Sequence, residues 1–202
     1  MTTDVKHFYN QILDLDKNLT VLDLACGTGW AGKACLNSGF KSVTFADARP
    51  HRLIAPTDFT NWTLIKVDIE SNDFLSAIKN FDIIIYFGHL YHSINPNHIL
   101  DSLAQSNCKH LFLESKTLGL ADIHEFGPAR LVYENEPSSE DEAAFSEKDE
   151  LIQICRPSLN WTKQALVERG FTIESWFVGS LVNDRMTENN IFGQYLIHAT
   201  KE

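Results

Sequence analysis

Three aspartates, Asp23, Asp47 and Asp68, stand at the ends of three successive short apolar runs, and a glycine-rich loop from Ala25 to Gly32 follows the first of them. Glycines at this spacing let the main chain turn sharply and bring its amides close to a ligand. A helix that begins there aims its free N-terminal amides into the same crevice. A planar carboxylate can accept two hydrogen bonds at once, which matches a pair of vicinal hydroxyls. Taken singly, each aspartate also reads as a helix cap or turn residue. Three in equivalent places beside one glycine loop point to a shared site.

Gly27, Gly29 and Gly32 match G-x-G-x-x-G, and Asp47 lies about 20 residues further on, the pattern of a dinucleotide-binding oxidoreductase. Charge separates that reading from its competitor. A dinucleotide sets an anionic pyrophosphate on the loop, where Asp23 is a poor neighbour. S-adenosylmethionine carries a sulfonium and an ammonium, which a carboxylate accommodates.

The run Val21-Leu22-Asp23-Leu24-Ala25-Cys26-Gly27-Thr28-Gly29 resembles motif I of the class I S-adenosylmethionine-dependent methyltransferases, and the likeness extends over most of the chain. The resemblance implies that Asp23 lies near the methionine amino end of the cofactor, often through water. It implies that Asp47, with Ala48 beside it, takes the ribose hydroxyls. Asp68, followed by Ile69, would take the adenine amino group. Ala25, Gly27 and Gly29 would supply backbone contacts to the methionine part. Trp30 either covers the cofactor or joins the core. The cofactor implied is S-adenosyl-L-methionine, with S-adenosyl-L-homocysteine as product.

Tyr86-Phe87-Gly88-His89-Leu90-Tyr91-His92-Ser93 follows the fourth apolar run, where such enzymes place residues beside the reactive methyl group. Phe87 and Gly88 therefore join the expected cofactor contacts. His89 and His92 are the candidate catalytic residues, because an imidazole titrates near neutrality and can take the proton of an acceptor hydroxyl. Either ring could instead be structural, bonded to backbone. There is no Asn/Asp-Pro-Pro-Tyr motif, which argues against amino methylation of adenine or glutamine. Gly88 to His92, then Asn95-Pro96, and Arg156-Pro157-Ser158 leading to Gly170-Phe171, resemble a narrower set similar to the tRNA wobble-uridine carboxymethyl-transferring enzymes. That set's long N-terminal region is not expected here, and there is no obvious basic cluster for a tRNA arm. Tyr91, Glu114 and Arg156 are the candidate substrate-binding residues.

These residues need a sheet to position them. Strand and helix signals alternate along the chain, as in an α/β protein with a mostly parallel sheet. Helices are expected over Asp4–Leu15, Trp30–Asn37, Asn72–Lys79, Pro96–Gln105 and Ser158–Arg169, with a short one near Pro50–Ala55. Ser158 suits an N-cap and Pro96 a first helical turn. Strands are expected over Thr20–Ala25, Ser42–Asp47, Thr63–Asp68, Phe81–Tyr86, His110–Glu114, Phe171–Val178 and Ile191–Thr200, the last two pairing antiparallel. The fold class expected is a Rossmann-like three-layer sandwich with a mostly parallel seven-stranded sheet and an antiparallel final strand. Residues 1–202 read as one methyltransferase domain. Lys116 to Arg156 reads as a long acidic insertion, a solvated loop or a lid over the site.

Composition bounds the function. The 17 basic and 27 acidic residues leave a net charge of −10, which disfavours nucleic acid as a partner without excluding a local basic patch. No apolar run reaches the length of a membrane span. Without a secretory signal at its start, the chain is expected in the cytoplasm. Four scattered cysteines show neither zinc nor disulfide spacing. No compact group of His, Asp and Glu has metal-ligand spacing, so no metal is expected. The residues carry no signal for an oligomeric state. The expected activity is methyl transfer to a small-molecule or sugar acceptor, at oxygen. The alternatives are an RNA methyltransferase of the wobble-base type and a non-catalytic partner protein on the same fold.

Overall fold

The computed structural model describes residues 3–117, 130–135, 151–181 and 192–202. Helix α1 (Thr3–Leu13) precedes β1 (Val21–Leu24), α2 (Trp30–Asn37) and β2 (Val43–Asp47). A 3-10 turn at Pro50–Arg52 leads to β3 (Trp62–Lys66), α3 (Phe74–Ile78) and β4 (Ile83–Phe87). A second 3-10 turn at Leu90–His92, not foreseen from the sequence, leads to α4 (Pro96–Gln105) and β5 (His110–Thr117). Then come β6 (Arg130–Asn135), β7 (Leu151–Arg156), α5 (Leu159–Glu168), β8 (Thr172–Leu181) and β9 (Phe192–Thr200).

Seven strands form one sheet in the order β3-β2-β1-β4-β5-β9-β8. The first five are parallel, and β9 runs antiparallel to both β5 and β8. Every residue of β4 is buried, and Ile83-Ile84-Ile85 has no polar face, as befits a strand covered on both sides. The register sets Asp23 opposite both Phe45 and Ile85.

The sheet divides two apolar cores. On one side Phe8, Ile12, Ala31, Cys35 and Leu36 of α1 and α2 pack on Val21, Phe45, Ile83 and Ile85. On the other, Phe74, Ile78, Ile99, Leu100, Leu103, Leu159 and Leu166 of α3, α4 and α5 pack on Leu22, Leu24, Ile84 and Leu111. This alternation along β1 and β4 makes three layers, a Rossmann-like α/β sandwich. Asn95 caps α4 and Ser158 caps α5, each side chain accepting a hydrogen bond from the third residue beyond it.

Two expectations need correction. The segment after residue 116 is not wholly a loop: β5 continues to Thr117, paired with β9 as far as Gly193. Beyond it β6 and β7 form a separate antiparallel pair, from Arg130↔Arg156 to Asn135↔Leu151. The acidic stretch over 136–142 lies outside the described residues, and with it the expected lid. Among the described residues no helix is long and apolar enough to cross a membrane.

Candidate functional site

Five parallel strands present their C-terminal ends along one edge, the usual ligand edge of an open α/β sheet. β1 ends in the loop Ala25–Gly29. Ala25, Gly27 and Gly29 all have positive φ, at 54°, 52° and 77°. An alanine in that region costs about 1–2 kcal/mol. Nothing lies within 4 Å of where a Cβ on Gly27 would point. At Gly29 a Cβ would sit 2.3 Å from Leu53 Cδ1, and at Gly32 it would sit 2.4 Å from Phe45 Cε1 and 3.0 Å from Asp23 Oδ2. Gly27 thus keeps a face open, whereas Gly29 and Gly32 let α2 press against β1 and β2.

Asp23 is buried, and its Oδ2 accepts the Gly32 amide at 2.8 Å. Burial pushes its carboxyl up to about 7, the Gly32 hydrogen bond pulls it down, and the charge of Asp47 adds a further upward push. Its Oδ1 has no partner among the described residues. Asp47 is also buried; Oδ2 accepts the Gly27 amide at 2.8 Å and Oδ1 the Arg49 amide at 2.8 Å. A carboxylate has about four acceptor positions, so each Asp47 oxygen keeps one for a ligand. Asp68 follows β3, half-buried, with Oδ1 accepting the Glu70 amide at 3.0 Å. Its Oδ2 has no partner among the described residues. Ala48 is half-buried beside Asp47, and Ile69 is buried in the core under Asp68.

Phe87, Gly88 and Glu114 meet where β4 and β5 end. Phe87 pairs with Glu114 in register, and Gly88 has φ 75°. Glu114 is buried; its Oε1 accepts Gln194 Nε2 at 2.7 Å, and burial raises its carboxyl above the usual range. Trp30, half exposed, stacks on Phe87 with ring centres 5.8 Å apart and 20° between planes. Tyr9 of α1 stands edge-on to both rings, at 5.3 and 5.7 Å. Its hydroxyl is pushed up to about 12 by burial first and by the charge of Glu114 second. Tyr9 and Gln194 therefore belong to this end of the sheet, and neither was singled out in the sequence. Tyr9 carried a faint signal beside Phe8 on an amphipathic helix. Gln194 carried none, because only the β5–β9 pairing brings it to Glu114.

After Gly88 the chain turns, and the carbonyl of His89 accepts the amide of His92 at 2.8 Å. His89 is half-buried, and its Nδ1 lies 3.2 Å from the hydroxyl of the fully buried Tyr86. The ring of half-buried His92 is 4.2 Å from that of buried Tyr91 and 6.2 Å from that of His89. Lys116 Nζ lies 4.9 Å from the centre of the Tyr91 ring. The Cys155 amide donates to the Ser93 carbonyl at 2.8 Å, tying the end of β7, where half-buried Arg156 stands, to this turn. The expected site residues thus follow or end the parallel strands, except Arg156, which stands on the separate β6–β7 pair. They fall into a carboxylate-and-glycine half around β1–β3 and an aromatic, histidine and Glu114 half around β4 and β5.

No protein-family model matches the chain, and no curated protein sequence matches it. Solved structures do. A candidate S-adenosylmethionine-dependent methyltransferase from Listeria monocytogenes superposes with a TM-score of 0.68 at 17% identity, over 98% of this chain and 99% of that one. The N-terminal domain of EvdMO1, crystallised in the presence of S-adenosylhomocysteine and D-fucose, gives 0.66 at 16% identity, over 100% of this chain and 84% of that one. An S-adenosylmethionine-dependent methyltransferase from Mesorhizobium loti gives 0.63 at 15% identity, over 99% of this chain and 98% of that one. The likeness is one of fold and does not single out the wobble-uridine carboxymethyl-transferring set. By its fold the chain is similar to the class I S-adenosylmethionine-dependent methyltransferases.

Proposed function

We propose that this chain is an S-adenosylmethionine-dependent methyltransferase acting at an oxygen of a small-molecule or sugar acceptor. One observation carries the reading: three aspartates at the ligand edge each retain acceptor capacity around a loop whose Gly27 leaves an open face. This donor set fits the cofactor. Asp47, with two acceptor positions left, would hold two ribose hydroxyls. Asp68 Oδ2, beside Ile69 and near Ala48, would accept from the adenine amino group. Asp23, with Ala25, Gly27 and Gly29, would hold the methionine end, where its negative charge suits the ammonium and sulfonium. A pyrophosphate there would meet the Asp23 charge instead.

Bound S-adenosylmethionine supplies an electrophilic methyl carbon with a good leaving group already attached. What remains for the chain is to align the acceptor, exclude water and take up a proton. Trp30, Phe87 and Tyr9 form an apolar wall that keeps water away. Tyr91, Glu114 and Arg156 form the acceptor side, and Glu114 suits hydrogen bonding to a hydroxyl. His92 takes the proton of that hydroxyl, with His89 beside it. The net charge of −10 speaks against a nucleic-acid acceptor.

Incubation with methyl-labelled cofactor and fractionated cell extract tests this. Label is expected among small metabolites. Label in RNA would replace the acceptor class. No transfer at all, with calorimetry still detecting S-adenosylhomocysteine binding, would leave a non-catalytic partner protein.

A further inference from the structure

We infer that Tyr86 locks His89 in the tautomer with its proton on Nε2, so that His89 serves as a fixed hydrogen-bond donor to the ribose of the adenosyl ligand and not as a proton acceptor. The starting point is a satisfaction problem inside β4. Tyr86 is completely buried, and a buried hydroxyl that donates to nothing is costly. Among the described residues, His89 Nδ1 at 3.2 Å is the only group in hydrogen-bond reach of that hydroxyl. The phenol must therefore donate, and Nδ1 must accept. A neutral imidazole carries one proton, which leaves it on Nε2.

Protonating His89 would put a second N–H against the Tyr86 hydroxyl and orphan the phenolic proton. Burial acts in the same direction and holds the imidazole down to about 4, helped by His92. The remaining charges acting on the ring are Asp47, which favours the cation, and Arg49, which opposes it. Asp47 and Arg49 stand at the end of β2, which is separated from β4 by β1 alone in the sheet. Nε2–H has no partner among the described residues. A ligand between β2 and β4 that needs both an acceptor and a donor meets Asp47 and His89. A ribose hydroxyl, which donates and accepts through one oxygen, has that chemistry.

The inference rests on the cofactor reading for its ligand, but its first test does not. Nitrogen-15-labelled full-length protein, without ligand, reports the histidine tautomer directly by NMR. His89 is expected to show an unprotonated Nδ1 and a protonated Nε2 from about pH 5.5 to 8. A proton on Nδ1, or a titration near 6.5, would overturn the lock. Tyr86→Phe is expected to release it, giving mixed tautomers and a titration moved towards the ordinary value. An unchanged tautomer in Tyr86→Phe would also overturn it. Should that variant not fold, the wild-type spectrum decides alone.

The ligand is tested by calorimetry with S-adenosylhomocysteine. His89→Leu is expected to weaken binding roughly two- to tenfold, and His89→Gln, which keeps a donor, to restore most of the loss. Equal binding by His89→Leu and wild type would overturn the ribose contact. No binding by wild type would sink the cofactor reading while leaving the tautomer result intact.

Discussion

The Asp23 carboxylate reaches across the glycine loop to the amide of Gly32, 2.8 Å away on the first turn of α2. The contact ties β1 to the helix that follows it, and it puts a buried acid at the centre of the ligand edge. Burial raises that acid to about 7. A carboxyl raised on folding contributes most below its unfolded value, near 3.8, and that contribution is lost as pH climbs through 7. Asp23→Asn is therefore expected to flatten the pH dependence of stability between those limits, read from urea midpoints at several pH values. An unchanged pH profile would show that Asp23 is ionised throughout.

The same acid predicts a pH dependence of binding. A cationic ligand beside Asp23 favours the carboxylate, so binding S-adenosylmethionine should release a proton near neutral pH. Affinity is expected to rise as pH goes from about 6 to about 8, and calorimetry in buffers of different ionisation enthalpy should count a fraction of one proton released. Equal affinity across that range would separate Asp23 from the ligand.

Asp47 holds the Gly27 and Arg49 amides as well as its expected ligand. Asp47→Ala is predicted to weaken S-adenosylhomocysteine binding by about 100-fold or more, because two charge-assisted contacts and the loop's shape go together. Asp47→Asn keeps an acceptor and should lose less. Calorimetry that finds Asp47→Ala equal to wild type would remove the ribose contact.

How far the sequence reached follows from where each signal resides. β1 is legible because an apolar run, Asp23 and the glycine loop coincide there, β2 because its apolar run ends in Asp47, β4 because Ile83-Ile84-Ile85 stops at Gly88, and α2 because it lies between the glycine loop and Gly39. β6 and β7 are obscured in the sequence by the acidity and prolines of 116–156. Yet Leu131-Val132-Tyr133 and Leu151-Ile152 are runs of strand-forming type. β5 runs past the expected Glu114, since Ser115, Lys116 and Thr117 are polar and only their partners on β9 make them strand. Carboxylates at strand ends could be placed from spacing alone. The protonation of His89 could not, because it depends on a buried hydroxyl three residues back that a turn brings to its ring.

The three glycines of the loop make a graded prediction. Gly27→Ala meets open space and only its φ of 52° opposes the substitution, so a loss of about 1–2 kcal/mol is expected. Gly29→Ala adds a Cβ 2.3 Å from Leu53 Cδ1, at φ 77°, and should cost more. Gly32→Ala has no positive φ, yet its Cβ strikes the Phe45 ring at 2.4 Å and crowds Asp23 Oδ2 at 3.0 Å. It should combine overpacking of about 1–3 kcal/mol with loss of the Asp23 hydrogen bond. Chemical denaturation of the three variants is expected to rank Gly27→Ala as the mildest. Ligand binding should be sensitive in the opposite sense for the folded variants: a methyl on Gly27 protrudes into the face left open for the methionine part, so this mild variant should still bind S-adenosylhomocysteine more weakly than wild type. Full affinity in Gly27→Ala would mean that the open face of the loop is not where the ligand lies.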